Sequence, residues 1–353
     1  VSQGGIAPEL LARAEALHRA HPVVECHSDI PVDLYRRHRA GEESPLRDDY
    51  LPRLRAGGVA VQVLAVGGDV PLTHDPEGSP HLRALQTIDD VLVEAARCEE
   101  LRPVETAGDL DAAIAAGQIA LILHLEGLKP ILGAGASRAA PLLRHFHRLG
   151  LRSAQLTWNG GNEIADGVGV ERPHGLSPLG REMVAELERL GVLIDVSHLS
   201  EPSFWDLLEL ADGPVVATHA NAFALCPHPR NLRDDQIRAV AGSGGFVGVC
   251  FVASFIGEEA TLDRLLDHVD HLAALVGTDA IGVGPDYVEF ALDVMVEPGS
   301  EHAYLGPEGL RRVETLPVFT AGLLSRGYSE DDAVKILGGN ALRVLRRTLP
   351  SFG

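Results

Sequence analysis

The run Val192-Leu-Ile-Asp-Val-Ser-His198, followed after a helical segment by Pro214-Val-Val-Ala-Thr-His219, decides the fold. Each is a short, β-rich apolar run that ends on a histidine. Near-continuous apolar runs of this kind read as strands buried on both faces, as in parallel sheets. Residues 201–210 between them carry helical periodicity, so the unit is strand, helix, strand.

Six more such runs lie outward from this pair, at residues 22–27, 59–66, 119–126, 152–158, 245–252 and 280–286. Helical patterns at 81–101, 178–190, 234–241 and 263–276 alternate with them. Ser177-Pro178 and Ser200-Glu201-Pro202 put Ser at an N-cap with Pro in the first turn. Gly191 and Gly277 stand where a left-handed C-cap is expected. Eight strands alternating with helices specify a parallel sheet. Polar residues collect at the C-terminal ends of five of the runs. A barrel brings all strand ends around one mouth, whereas an open sheet spreads them along a line. The expected fold is therefore α/β, a (β/α)8 barrel of TIM type with its site at the C-terminal ends of the strands. One domain is expected over residues 1–353, with an N-terminal helix and a capping helix in residues 329–349. Residues 298–317 read as a long loop with some helix.

Composition narrows the function. The chain has 353 residues and a net charge of −20, from 50 acidic and 30 basic side chains. That balance argues against a nucleic-acid partner, which needs clustered Lys and Arg, and against anionic membrane surfaces. The four cysteines, Cys26, Cys98, Cys226 and Cys250, form no C-x-x-C pair, so neither a disulfide scaffold nor a structural zinc knot is expected. Cys26 and Cys250 read as buried small hydrophobes. No run of about 18 uncharged apolar residues marks a membrane span. The first five residues, Val-Ser-Gln-Gly-Gly, carry no charged n-region followed by an apolar h-region, and the expected location is the cytoplasm.

The chemistry concentrates at the strand ends. In Glu-Cys-His27-Ser-Asp29, residues two apart in an extended chain point to the same side, so His27 and Asp29 can reach one metal. Leu-His-Leu-Glu126-Gly127 ends on a carboxylate whose charge must be compensated, before a glycine that permits a sharp turn. His124 shares its parity and either lines the barrel or is an ordinary core histidine. His198 and His219 end consecutive strands. Three histidines with at least two carboxylates suit Zn2+ or a similar borderline metal. Asp195 lies three residues before His198 and reads as facing away from it, a supporting group or simply polar. Gly-Val-Gly-Pro-Asp286 places a carboxylate at the same mouth, either for proton transfer or as a helix N-cap. In Cys-Pro-His228-Pro-Arg230-Asn231, two prolines restrict a loop whose Arg230 either clamps a substrate carboxylate or pairs with Asp234 or Asp235 on the surface. Gly242-Ser-Gly-Gly245 precedes a strand and is not a dinucleotide loop. His145, His147, His268 and His271 lie in helical segments and read as solvated or packing residues.

Several ordered stretches resemble the membrane (renal) dipeptidases, peptidase family M19 of the amidohydrolase superfamily. They are His27-Ser-Asp29-Ile-Pro, Gly175-Leu-Ser-Pro-Leu-Gly-Arg-Glu, Leu-Gly-Val-Leu-Ile-Asp-Val-Ser-His198, Pro-Val-Val-Ala-Thr-His219-Ala-Asn-Ala, His228-Pro-Arg-Asn-Leu, Gly-Val-Gly-Pro-Asp286 and Ile336-Leu-Gly-Gly-Asn340. The resemblance implies a metallo-dipeptidase with two divalent ions, Zn2+ by preference. His27, Asp29 and Glu126 would hold one ion, and Glu126, His198 and His219 the other, with Glu126 bridging. A metal-activated hydroxide would cleave the peptide bond of dipeptides, Asp286 would transfer protons and Arg230 would bind the substrate carboxylate. A homodimer is compatible with this reading. Where the resembled family carries a substrate-contacting histidine, this chain has Leu156-Thr157-Trp158-Asn159. Trp158 and Asn159 are therefore the candidate replacements on the substrate, although an indole N–H donates and cannot take up a proton. Tyr287-Val-Glu289 likewise departs from the family's turn. Two alternatives stay open: the same site acting on another amide, such as an N-acyl amino acid or a β-lactam, and a non-catalytic metal- or ligand-binding protein.

Overall fold

The computed structural model describes residues 6–71, 78–133, 135–290, 292 and 301–351. The N-terminal five residues and residues 298–300 of the expected loop lie outside these. Nine parallel strands run through the described chain: β1 (Val23–Ser28), β2 (Val59–Gly68), β3 (Leu101–Pro103), β4 (Ile119–Glu126), β5 (Leu151–Gln155), β6 (Leu193–Asp195), β7 (Val215–Val216), β8 (Val247–Val249) and β9 (Ile281–Val283). Strands β1-β2-β4-β5-β6-β7 hydrogen-bond in that order. A bridge from Ala217 to Val247 carries the ladder to β8, which pairs with β9. Strand β9 in turn lies beside β1. The eight long-expected strands thus form an α/β barrel of TIM type, with helices in the crossovers. The short β3 is an addition, paired to the start of β4.

Local chemistry explains the crossovers. Ser177 caps the helix Pro178–Leu190 by accepting from the Gly180 N–H, and Ser200 caps Glu201–Leu210 through Ser203. Each satisfies an otherwise orphaned N–H in the first turn. Gly191 ends its helix with φ 68° and ψ 32°, a left-handed cap. Gly277 corrects the expectation: its φ is 74° but its ψ is 173°, so the chain leaves the helix extended. The helix expected over 81–101 spans Pro80–Ala96, and the turn after it feeds β3. The later strands are shorter than their apolar runs. Their last residues leave the ladder and turn into the mouth, as β6 does by stopping at Asp195, three residues before His198. At the C-terminus the expected capping helix is three joined pieces, Glu330–Val334, a π-helical Lys335–Gly339 and Asn340–Thr348. Short 3-10 turns at Glu301–Ala303 and Val313–Thr315 supply the helix of the preceding loop.

The main core lies between strands and helices, where Leu143, Leu187, Leu207, Ile237 and Leu266 meet strand residues such as Leu123, Leu125 and Ile194. A second cluster joins Val61, Val63, Ile122 and Val216 to Leu342 and Leu345 of the C-terminal helix. Burying one such side chain stabilises the fold by roughly 1.5–3 kcal/mol. Cys26 and Cys250 are buried, as expected, and Cys98 and Cys226 are buried as well. No helix among the described residues is long and apolar enough to cross a membrane.

Candidate metal centre

His27, Asp29, Glu126, His198, His219 and Asp286 all arrive at the mouth of the barrel. Glu126 is the last residue of β4, and Gly127 turns the chain away with φ 104°. A side chain at Gly127 would stand 2.4 Å from the Asp69 carboxylate, so the turn requires glycine. Asp69 in turn accepts from the Lys129 N–H and from Asn162 Nδ2, both at 2.7 Å. Gly284 lets the end of β9 press against Thr218, whose carbonyl oxygen would lie 1.7 Å from an added Cβ. Beyond it, Asp286 has φ 58°, and His198 has φ 70°. Left-handed backbone at a non-glycine residue costs on the order of 1–3 kcal/mol and tends to persist where function holds it. Residues 287–290, directly after Asp286, are not helical, so Asp286 does not stand at the N-cap of a helix.

One carboxylate oxygen is the centre of the arrangement. Glu126 Oε1 lies 3.1 Å from His198 Nε2, 3.6 Å from His27 Nε2 and 3.8 Å from His219 Nε2. His27 also groups with Asp29 and Asp286, their ligand atoms falling within 4.8 Å of one another. All these residues are buried or nearly so. Among the described residues, both ring nitrogens of His27 and Oε2 of Glu126 have no hydrogen-bond partner. Leaving such groups unpaired inside a protein is costly, and a bound cation relieves it.

The outer nitrogens of the other two histidines are tied off. His198 Nδ1 donates to Asn159 Oδ1 at 2.7 Å, which leaves Nε2 with a free lone pair. Thr218 donates its hydroxyl to Asp195, so its oxygen accepts from His219 Nδ1 at 2.8 Å. The two Nε2 atoms then face each other bare, 3.0 Å apart. Two lone pairs repel at that distance, but two nitrogens at ~2.0–2.1 Å from one tetrahedral ion stand about 3.3 Å apart. The donor set therefore fits a divalent metal.

Electrostatics point the same way. Burial lowers the pKa of His27, His198 and His219 well below the ordinary value, so each is a neutral ligand. Burial raises Glu126 and Asp29 well above the carboxylate range, and mutual repulsion with Asp286 raises both further. Asp286 is pushed up to about 6, chiefly by burial and against the pull of Arg230. Three crowded carboxylates with one facing arginine form a site short of positive charge.

Arg230 is buried rather than paired on the surface. One of its terminal nitrogens donates to the His219 carbonyl oxygen at 3.2 Å, its guanidinium lies 5.3 Å from the Phe255 ring centre, and its Nε has no partner among the described residues. The loop is pinned by Asn231, whose Nδ2 donates to the carbonyl oxygens of Cys226 and Phe255. Asp234, the alternative partner, pairs with His271 instead. Arg230, Asp286, Trp158 and Asn159 line one cavity of about 350 Å³ with Asp29, Glu126 and His198. His124 is a core histidine, hydrogen-bonded to Ser153 and Gln155, although it also groups with His27 and Asp195. His268 packs within the core and accepts from the Ala222 N–H. Sequence reasoning missed Thr218, Asp69 and Asn162, because Thr218 meets Asp195 from 23 residues away and Asp69 meets Lys129 and Asn162 from 60 and 93 residues away. It also left open the place of Asp195, which accepts from Thr218 and from the Ser197 N–H.

Residues 11–349 match the family model described as membrane dipeptidase, peptidase family M19. Human Dipeptidase 3 is 31% identical over 96% of this chain and 67% of its own length. Dipeptidase tcpJ of Claviceps purpurea is 32% identical over 70% of this chain, which spans only 55% of that protein. A crystal structure of a metallo peptidase from Rhodobacter sphaeroides, liganded with a phosphinate mimic of the dipeptide L-Ala-D-Ala, superposes with a TM-score of 0.80. It is 31% identical, and the match covers 93% of this chain and 99% of that one.

Proposed function

The chain belongs to the membrane dipeptidase family, peptidase family M19, and on that premise we propose that it is a binuclear zinc dipeptidase. The observation that carries the reading is the set of three bare imidazole nitrogens around Glu126 Oε1, two of them with their outer nitrogens already engaged. His27, Asp29 and Glu126 would hold one ion and Glu126, His198 and His219 the other. Imidazole and carboxylate donors together favour zinc. Ions held there supply Lewis acidity toward the peptide carbonyl and a water acidified from 15.7 toward about 7.

The chain's own residues do the rest. Arg230 offers its guanidinium to the C-terminal carboxylate of a short substrate, a charge-assisted pairing that fixes the scissile bond at one distance from Glu126. Asp286, ionised, accepts the proton released by the attacking water on a carboxylate oxygen and returns it to the departing amine. Dipeptide substrates agree with the phosphinate dipeptide mimic bound by the Rhodobacter relative.

The test is hydrolysis of a dipeptide panel before and after dialysis against a chelator, with metal analysis of each sample. Activity should vanish on stripping and return with Zn2+, at two ions per chain. Full activity in metal-free protein would overturn the reading, and preferential cleavage of N-acyl amino acids or β-lactams would reassign the substrate.

A further inference from the structure

The loop that carries Arg230 holds a second polar side chain, His228, which the proposed mechanism leaves without a task. In Cys226-Pro-His228-Pro-Arg230 each proline fixes its own φ. Backbone bonds close the loop, from the His228 N–H to the Cys226 oxygen at 2.7 Å and from the Asn231 N–H to the His228 oxygen at 2.9 Å. The imidazole is held on two sides. Its Nδ1 accepts from the Arg230 N–H at 3.2 Å, and its ring packs on that of Phe255 with centres 4.6 Å apart. Phe255 is anchored in turn, since its carbonyl oxygen accepts from Asn231 Nδ2 at 2.8 Å.

Acceptance at Nδ1 decides the tautomer. Burial, and then the neighbouring Arg230 charge, lower the His228 pKa, so the ring is neutral near pH 7. A neutral imidazole carries one hydrogen, which must then sit on Nε2. No described residue accepts that hydrogen, and Nε2 is not among the buried unpaired atoms, so it opens to solvent-filled space. His228 lines the same cavity as Arg230 and Asp286. The Phe255 ring backs both cations and imidazole alike, with the Arg230 guanidinium 5.3 Å from its centre.

We propose that His228 is the second half of a carboxylate clamp: its Nε2–H donates to one oxygen of the substrate's C-terminal carboxylate while Arg230 holds the other. The proposal rests on the dipeptidase reading and adds a binding residue to it. A carboxylate offers about four acceptor sites, more than one guanidinium edge fills, and a buried one needs its partners. An N–H fixed in direction by two contacts costs little ordering when the substrate arrives.

The test measures kcat and KM for Ala-Gly, whose C-terminal residue has no stereocentre, with the zinc-loaded full chain. Two substitutions separate the ring nitrogens. In His228→Asn the side-chain oxygen can accept the N–H two residues on, as Nδ1 does, but no donor reaches the place of Nε2. In His228→Gln the amide nitrogen reaches that place and nothing stands at Nδ1. His228→Asn should raise KM about tenfold with kcat within about twofold, the mark of lost substrate binding. His228→Gln should keep KM within about threefold of the unaltered protein. The opposite order, equal losses in both, or unchanged KM in both would overturn the clamp and leave His228 as a support of its loop. If His228→Gln fails to fold, Ala-Gly amide decides. His228→Asn should cost less on the amide, because a neutral acceptor makes a bond about half as strong as a carboxylate does. Equal costs on the acid and the amide would overturn the clamp. Absence of Ala-Gly hydrolysis by the unaltered protein would instead sink the dipeptidase reading, and the clamp with it.

Discussion

The hydroxyl oxygen of Thr218 lies 2.8 Å from Nδ1 of its neighbour His219. The same hydroxyl hydrogen-bonds to the Asp195 carboxylate, which also accepts from the Thr218 and Ser197 N–H groups. Asp195 can only accept, so the hydroxyl donates to it and must accept from the imidazole. His219 is thereby held in the tautomer that presents a bare Nε2 to the site.

Thr218→Val should therefore weaken metal binding by ~10–100-fold, the usual cost of losing a group that orients a ligating histidine. Competition with a coloured chelator reads this without any activity assay. Thr218→Ser restores the hydroxyl and should recover most of the affinity. Equal affinity in the Val and Ser variants would mean that Thr218 only fills space.

Glu126 stands within reach of all three histidines. Glu126→Gln should lower occupancy of both ions in metal analysis, because in the proposed site one carboxylate would serve both. Retention of two ions per chain would argue against bridging.

Asp286 must be ionised to accept a proton, and burial pushes its pKa up to about 6. Bound cations favour the ionised form and pull the value down. Hence kcat/KM should fall as the pH drops through about 6 or below, not as it rises. Asp286→Asn should lower kcat by ~10²–10⁴ with metal content almost unchanged. Near-normal turnover in that variant would reduce Asp286 to a packing role.

Arg230→Met should sharply lower kcat/KM for free dipeptides, since losing a buried charge-assisted contact costs about 2–5 kcal/mol. Dipeptides amidated at the C-terminus lack the carboxylate and should be nearly indifferent to the change. Equal losses on both would show that Arg230 supports its loop instead.

The barrel and its mouth were legible in the chain because their signals are local. Near-continuous apolar runs, helical stretches capped by Ser177 and Ser200, and histidines or carboxylates placed at run ends all concern residues near one another in sequence. That is why the helices Pro178–Leu190 and Glu201–Leu210 were located to the residue. Strand ends were overdrawn, because apolar character continues after the ladder stops and the chain turns into the mouth. Short β3 escaped notice because three residues hold too little pattern.

Closure of the barrel decided what local pattern could not carry. Asp195 meets Thr218 across 23 residues, Asn159 meets His198 across 39, and Trp158 packs against Tyr35 and Val70 from a different strand end. No periodicity links such positions. Residue types at the strand ends name the candidate ligands, but the tautomers of His198 and His219 and the burial of Arg230 follow from which strands become neighbours. Those are long-range contacts, set only when the sheet comes round on itself.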